Sequence, residues 1–119
     1  MSWKLCYYLF RISYKNRKGG ILMDMKKFEQ LWNEVSEIGR ITANGYRVYI
    51  QYCLSGEMTQ KQLLQKKPDW KVSSVSNTVR MLHSMGLLEC KVENGNIIYF
   101  VNENFRADDY LNKKNTEEE

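Results

Sequence analysis

The chain has 119 residues, enough for one domain with a modest core, and 43% of them are hydrophobic, which excludes a largely disordered chain. One Pro and seven Gly exclude a loop-rich or low-complexity protein. No apolar run approaches the roughly 20 residues that a membrane span requires. Three Cys without CxxC spacing are typical of a cytoplasmic protein in a reducing environment.

The formal net charge is +4, and its distribution is more informative than its sum. Residues 1–22 contain five basic residues and no acid, which leaves 13 basic and 14 acidic residues in the remainder. Residues 61–80 again contain five basic residues, against the single acid Asp69. Contact with nucleic-acid phosphates requires such a basic segment, but an ordinary solvated lysine surface has the same composition.

Residues 1–22 form a basic, aromatic extension without a clear helical or strand period, and they lack a signal-peptide cleavage site. Two interpretations stay open. The stretch from Arg17 to Gly20 can be encoded by a purine run that pairs with a bacterial-type ribosome, which would place the true start at Met23 or Met25. Alternatively, the extension is a genuine arm that holds DNA or a membrane surface. An intact mass of the native protein separates the two.

Residues 24–40 are predicted to form an amphipathic helix, with Asp24 as its N-cap and Gly39 as its stop signal. Its apolar residues recur at spacings of three and four, which places them on one stripe: Met25, Phe28, Leu31, Trp32, Val35 and Ile38. A stripe that contains Phe and Trp needs a partner. It is either the interface of a homodimer or a surface that packs on its own domain.

Residues 44–102 are predicted to contain three helices and a β-hairpin. After a turn over residues 42–45, the segment from Tyr46 to Gly56 is apolar nearly all round, as in a buried helix, although its β-forming residues leave a strand open. Thr59 is predicted to cap a short helix in which Leu63 and Leu64 face inward. Pro68 ends that helix, and Asp69 and Trp70 form the connection.

The longest helix of this unit is predicted over residues 73–86, capped by Ser73 or Ser74 and ended by Gly86. Its buried stripe contains Val75, Val79 and Leu82, together with Met81 or Met85. Alternation in the next strand places Cys90 and Val92 inward. Asn94-Gly95 predicts a type I′ turn, and residues 97–101 form the return strand. Residues 103–119 are predicted as a short helix around Phe105, Tyr110 and Leu111, followed by a solvated acidic tail.

Three consecutive motifs in this region are similar to those of a known domain: GEMTQKQLLQK, SVSNTVRMLHSMGLLE and CKVENGNIIYFV. In this order they resemble the second helix, the recognition helix and the wing of the winged helix-turn-helix in small ArsR-, MarR- and PadR-type regulators. The resemblance covers about half of the chain. It implies an α+β, mainly α fold, with a three-helix core, a two-stranded wing and an extra N-terminal amphipathic helix.

The resemblance implies sequence-specific binding of double-stranded DNA in transcriptional regulation, with the 73–86 helix in the major groove. Serine hydroxyls would contact phosphates or base edges, Asn77 suits adenine, and Arg80 suits guanine or a phosphate. The candidate contact residues are Lys61, Lys66, Lys67, Lys71, Ser73, Ser74, Ser76, Asn77, Arg80, Lys91 and Asn94. Helix capping by the serines and an ordinary surface charge at Arg80 are the alternatives.

The hairpin tip departs from the family pattern, because Glu93 would repel phosphates and Lys91 is the nearest cation. The wing therefore either makes neutral hydrogen bonds through Asn94 and Asn96 or is structural only. Regulators of this type usually act as homodimers, whose recognition helices lie about 34 Å apart to match successive major-groove faces.

No enzyme is predicted, because the sequence has no phosphate-cradling glycine loop and no nucleophile placed beside a base. Cys53 and Cys90 are interpreted as core thiols, and His83 as a residue at a helix end, so neither a metal nor another cofactor is expected. The second functional class is a winged-helix module that binds other proteins, with Trp32, Trp70 and the tyrosines as anchors. Nothing in the sequence identifies an effector, an operator sequence or the direction of regulation.

Overall fold

A computed structural model describes the backbone of residues 25–118 and the side chains of residues 25–112, so the predictions for residues 1–22 and for Asp24 lie outside the described residues. Within that range, the structure has five helices and one antiparallel two-stranded sheet, which confirms the α+β, mainly α class. The elements are α1 (Met25–Ile38), α2 (Ala43–Ser55), α3 (Gln60–Lys66), α4 (Val72–Ser84), β1 (Leu88–Glu93), β2 (Asn96–Val101) and α5 (Ala107–Glu118).

The apolar stripe of α1 is buried inside the same chain. Phe28 and Trp32 have almost no exposed surface. The centroid of the Trp32 ring lies 5.4 Å from the centroid of the Phe28 ring and 5.3 Å from that of the Tyr46 ring in α2. α5 packs against the same helix. The stripe therefore packs intramolecularly, as one of the two sequence interpretations had it, and leaves no apolar face for the dimer interface predicted there.

α2 begins one residue after Thr42, whose hydroxyl accepts a hydrogen bond of 3.1 Å from the backbone N–H of Gly45. Gly45 therefore lies in the first helical turn instead of in the predicted turn. A Cβ at Gly45 would lie 2.6 Å from Ile41 Cγ2 and 3.2 Å from Met81 Cε, so a side chain there would require Ile41 to move and Met81 of α4 to shift slightly. The strand alternative for this segment is excluded.

The cap of α3 is the predicted one. The Thr59 hydroxyl accepts from the backbone N–H of Gln62, and the Gln62 side chain accepts from the backbone N–H of Thr59, which completes a capping box. Leu63 is fully buried and Leu64 is half-buried. The short helix is thus fixed at its start by two hydrogen bonds and on its inner face by leucine packing.

The predicted cap of α4 is wrong. The helix begins at Val72 with Lys71 in the N-cap position, and no side chain caps it there. Ser73 and Ser74 lie inside the first turn instead, because the extended backbone of Lys71 already starts the helix two residues earlier than the serine pattern indicates. The predicted buried stripe is confirmed, with Val75, Val79 and Leu82 inside and both Met81 and Met85 half-buried.

The hairpin has the predicted turn, since Asn94 and Gly95 both have positive φ angles, of 52° and 80°. Met58 forms an isolated antiparallel bridge with β2: its N–H donates to Tyr99 O at 3.1 Å, and its carbonyl accepts from Tyr99 N at 3.0 Å. This bridge joins the connection between α2 and α3 to the hairpin.

The inward placement predicted for Cys90 and Val92 is wrong, because both are exposed. They share a face with Leu88, which is buried, but β1 is not covered on this face after that residue, although Tyr99 opposite Cys90 in β2 is still buried. Val92 pairs with Ile97 across the sheet, and these side chains are 69% and 51% exposed. Strand alternation correctly identified which residues share a face, but it could not show where along the strand that face stops being buried.

The last helix is longer than expected. Phe105 is buried just before it, and Glu34 of α1 accepts a 2.9 Å hydrogen bond from the backbone N–H of Ala107. This carboxylate also lies 3.5 Å from the Arg106 guanidinium. The helix continues to Glu118, through most of the segment predicted as a solvated tail.

Candidate nucleic-acid interface

The outer face of α4, defined here as Ser73, Ser76, Asn77 and Arg80, lies on the side opposite the buried valines. Ser73, Asn77 and Arg80 are exposed, and Ser76 is half-buried. Ser74, the other candidate serine, is half-buried toward α2. The segment is helical and its outer face is not covered by the described part of the chain, which is the geometry that entry into a groove requires.

Asn77 and Arg80 form one hydrogen-bonded unit. Arg80 Nη2 donates to Asn77 Oδ1 at 2.6 Å, and Arg80 Nε donates to the carbonyl of Ser76 at 3.4 Å. These contacts join residues three and four positions apart on one helix face. They orient the Asn77 amide with its N–H groups available, and they hold the guanidinium against the helix instead of leaving it extended into solvent.

The basic residues of the 61–80 segment are uncompensated. Lys61, Lys66 and Lys71 are exposed, Lys67 is half-buried, and none of them forms an ion pair with a described acidic side chain. Their positive charges are thus available to an anionic partner.

Lys91 differs from these lysines, because Glu57 and Glu93 lie 2.7 and 3.2 Å from its ammonium group. Hydrogen bonds to Glu57 and then to Glu93 raise the pKa of Lys91. Two carboxylates therefore compensate this cation, which weighs against its predicted role at a phosphate. Asn94 is exposed at the hairpin tip, where its backbone conformation forms the turn.

A shallow cavity of about 220 Å³ separates the start of α2 from the start of α4, and we call it the α2–α4 cleft. Its polar lining comes from Asn44, Arg47, Trp70, Lys71, Ser74 and Thr78. Among these, the sequence reasoning missed Asn44, Arg47 and Thr78 as functional candidates. One signal was present, since Arg47 is the only charged residue in the otherwise neutral α2.

The two described cysteines have different environments. Cys53 is buried, and burial raises the pKa of its thiol, as expected for a core residue. Cys90 is exposed, and its sulfur lies 3.5 Å from His83 Nε2, while the His83 ring packs edge-on against Tyr99 at 6.0 Å. Within residues 25–112, no three His, Cys, Asp or Glu side chains come close enough to hold a metal ion.

Comparison of the chain with protein-family models, curated proteins and solved structures found no match. Among the described helices, none has the length and apolar content needed to cross a membrane.

Proposed function

We propose that this protein binds double-stranded DNA sequence-specifically in transcriptional regulation, with α4 in the major groove. In this proposal α2, α3 and α4 are the three-helix core of a winged helix-turn-helix, and the hairpin is its wing. The observation that carries the proposal is the exposed Asn77–Arg80 pair on a helix whose opposite face is locked into the core.

The chemistry of this pair suits base recognition. The available amide N–H groups of Asn77 can donate to adenine N7 while its oxygen accepts from the adenine amino group, because a carbonyl oxygen has two lone pairs. The remaining N–H groups of Arg80 can donate to guanine or to a phosphate. Ser73, Ser74 and Ser76 supply hydroxyls on the same helix.

The surrounding lysines suit the sugar–phosphate backbone. Lys61, Lys66, Lys67 and Lys71 would position the helix without reading sequence, because phosphate contacts are the same for every base pair. Asn94 would add at most a neutral hydrogen bond from the hairpin tip, and the compensated Lys91 is omitted from the proposed contacts.

Selection of bound fragments from a random duplex pool at two salt concentrations tests this proposal. We expect an enriched motif, and we expect Asn77→Ala and Arg80→Ala to change the enriched bases. Lys26→Ala, which removes an exposed charge from α1, is the matched control and should leave the motif unchanged. A pool in which the wild-type protein enriches no motif would rule out sequence-specific binding.

A second candidate function, a winged-helix module that binds another protein, is favoured by the apolar pair Val92–Ile97 near the hairpin tip. The aromatic anchors predicted for it are largely unsuitable, since Trp32, Tyr49 and Tyr52 are buried in the core. The affinity of a partner that docks on an apolar surface should change little between low and physiological salt, whereas the affinity of binding through several phosphates should fall steeply. Loss of partner binding in Val92→Ser/Ile97→Ser, without change in DNA binding, would support this candidate.

The homodimer stays a prediction. Two copies with recognition helices about 34 Å apart would read two half-sites on one side of a duplex. Because the α1 stripe is used intramolecularly, the interface must lie on another surface. Light scattering with and without a selected palindromic duplex gives the stoichiometry. We propose no catalytic role and no cofactor.

A further inference from the structure

The α2–α4 cleft has a positively charged lining. Arg47 of α2 and Lys71, the N-cap residue of α4, both line it, and neither forms an ion pair with a described residue. The amide of Asn44 and the hydroxyl of Ser74 add hydrogen-bonding groups. None of the described residues that line the cleft is acidic. Its charge and its donors therefore both favour a negatively charged occupant.

Two further features lie at the same cleft. α4 starts beside the cleft, and no side chain caps it, so the first backbone N–H groups of this 13-residue helix keep their donor capacity. Thr78 is only 9% exposed and lines the cleft, yet its hydroxyl makes no hydrogen bond to another described residue. The Thr78 hydroxyl is not among the fully enclosed polar atoms of the described residues, so a ligand or water in the cleft can form a hydrogen bond with it.

The size and the walls of the cleft select among anions. Its volume of about 220 Å³ accommodates a phosphate with part of a sugar, but it is small for a drug-sized ligand, whose pockets start at about 300 Å³. Trp70 provides an aromatic wall, and Val48 and Val75 provide an apolar floor on which the carbon atoms of a sugar can pack.

We propose that the α2–α4 cleft binds one phosphodiester of the DNA backbone, with Arg47 as its principal cation and Lys71, Asn44 and Ser74 as additional contacts. The inference rests on the proposed DNA binding, because Lys71 and Ser74 line the cleft and are also among the proposed DNA contacts. The occupied cleft would fix the angle at which α4 enters the groove, since it joins the start of α2 and the start of α4 to the same phosphate.

The test compares wild type, Arg47→Ala, Arg47→Lys and the control Lys26→Ala on a selected duplex and on a random duplex, over a series of salt concentrations. For Arg47→Ala we expect binding weaker by on the order of tenfold on both duplexes. The slope of log affinity against log salt should fall by about 0.9, as expected for the loss of one phosphate contact. Arg47→Lys should restore the slope, because it restores the charge, and Lys26→Ala should match wild type. Circular dichroism verifies that each variant is folded.

Several outcomes would overturn the inference. If Arg47→Ala binds both duplexes like wild type and with the same slope, the cleft holds no phosphate. A loss confined to the selected duplex would make Arg47 a base-reading residue instead. Fluorescence titration of wild type and Trp70→Phe with inorganic phosphate tests whether a free anion occupies the cleft. Tight phosphate binding together with an unchanged DNA slope in Arg47→Ala would assign the cleft to that anion.

The same data separate this inference from the proposed function. If wild type binds selected and random duplexes equally, sequence-specific recognition fails, while a reduced slope in Arg47→Ala still supports the phosphate site. If wild type discriminates between duplexes and Arg47→Ala leaves both slopes unchanged, recognition stands and the phosphate site fails. A wild-type protein that binds neither duplex would overturn both.

Discussion

Arg80 Nη2 lies 2.6 Å from Asn77 Oδ1, so the two residues proposed to read bases are already bonded to each other without DNA. This contact fixes which end of the Asn77 amide carries its donors, and it reduces the number of rotamers available to the Arg80 side chain. Both effects lower the entropy that must be lost when the pair meets a base pair. In the proposed recognition, the pair would therefore act as one unit.

A double-mutant cycle tests whether these residues act as a unit. Asn77→Ala and Arg80→Ala should each weaken specific binding by about 1–3 kcal/mol. The double variant should lose clearly less than the sum, because each single change already disturbs the orientation of the partner. Fluorescence anisotropy with a selected duplex gives the affinities. Strict additivity would indicate that the hydrogen bond has no role in recognition.

Trp32→Ala should strongly destabilise the single chain. The side chain is 1% exposed and packs between Phe28 and Tyr46, and removal of a buried Trp costs about 3–5 kcal/mol. Asn33→Ala, at the next and exposed position, should have little effect. Urea unfolding at several protein concentrations measures both. Equal stabilities for the two variants would contradict intramolecular packing of α1.

Thr59→Ala should destabilise the domain by about 1 kcal/mol, because it leaves the backbone N–H of Gln62 without its capping acceptor. Gln65→Ala in the same helix is a control that removes an exposed side chain and no cap. Chemical denaturation gives the difference between the two. If Thr59→Ala and Gln65→Ala have the same midpoint, the capping box contributes nothing to stability.

The stability of the protein should fall as the pH rises above about 9, which is the ordinary pKa of a cysteine thiol such as that of Cys53. Burial raises the pKa values of Cys53, Tyr49 and Tyr52 in the folded state, so the unfolded chain releases these protons first and is favoured at alkaline pH. Urea unfolding between pH 8 and pH 11 measures the trend. A flat or rising free energy of unfolding over this range would contradict it.

Burial of Cys53 should make alkylation selective for the exposed Cys90. In a Cys6→Ser background, iodoacetamide should label the exposed Cys90 in the native protein and reach Cys53 only after unfolding. Peptide mass spectrometry identifies the labelled residue. Native labelling of both cysteines at equal rates would contradict the described core.

Local chemistry made several elements predictable from sequence. The Thr59 cap, the break at Pro68 and the Asn94-Gly95 turn each depend on a few neighbouring residues, and their predictions are confirmed. The failures involve tertiary context. Periodicity identified the α1 stripe but not the residues that cover it, and strand alternation could not show that the side chains of β1 become exposed from Cys90 onward on the face that Leu88 shares.

The proposed site, too, could be predicted from sequence only where it depends on neighbouring residues. The outer face of α4 follows from helical spacing within one segment, so Asn77 and Arg80 could be selected directly from the sequence. The α2–α4 cleft depends on how residues near the start of α2 lie beside residues near the start of α4, and linear sequence does not contain that arrangement. Arg47 is a candidate because it lies beside residues at the start of α4, a relationship that its position in the sequence does not indicate.

The two hydrogen bonds between Met58 and Tyr99 imply that the connection between α2 and α3 has a fixed length. One inserted residue there would either turn the Met58 side chain, which is 2% exposed, toward solvent or shift Thr59 out of its capping position. Tags or reporter peptides should therefore be inserted elsewhere. The exposed connection at Gly39 and Arg40, between α1 and α2, is the better position for an insertion that must preserve the arrangement of α3 and the hairpin.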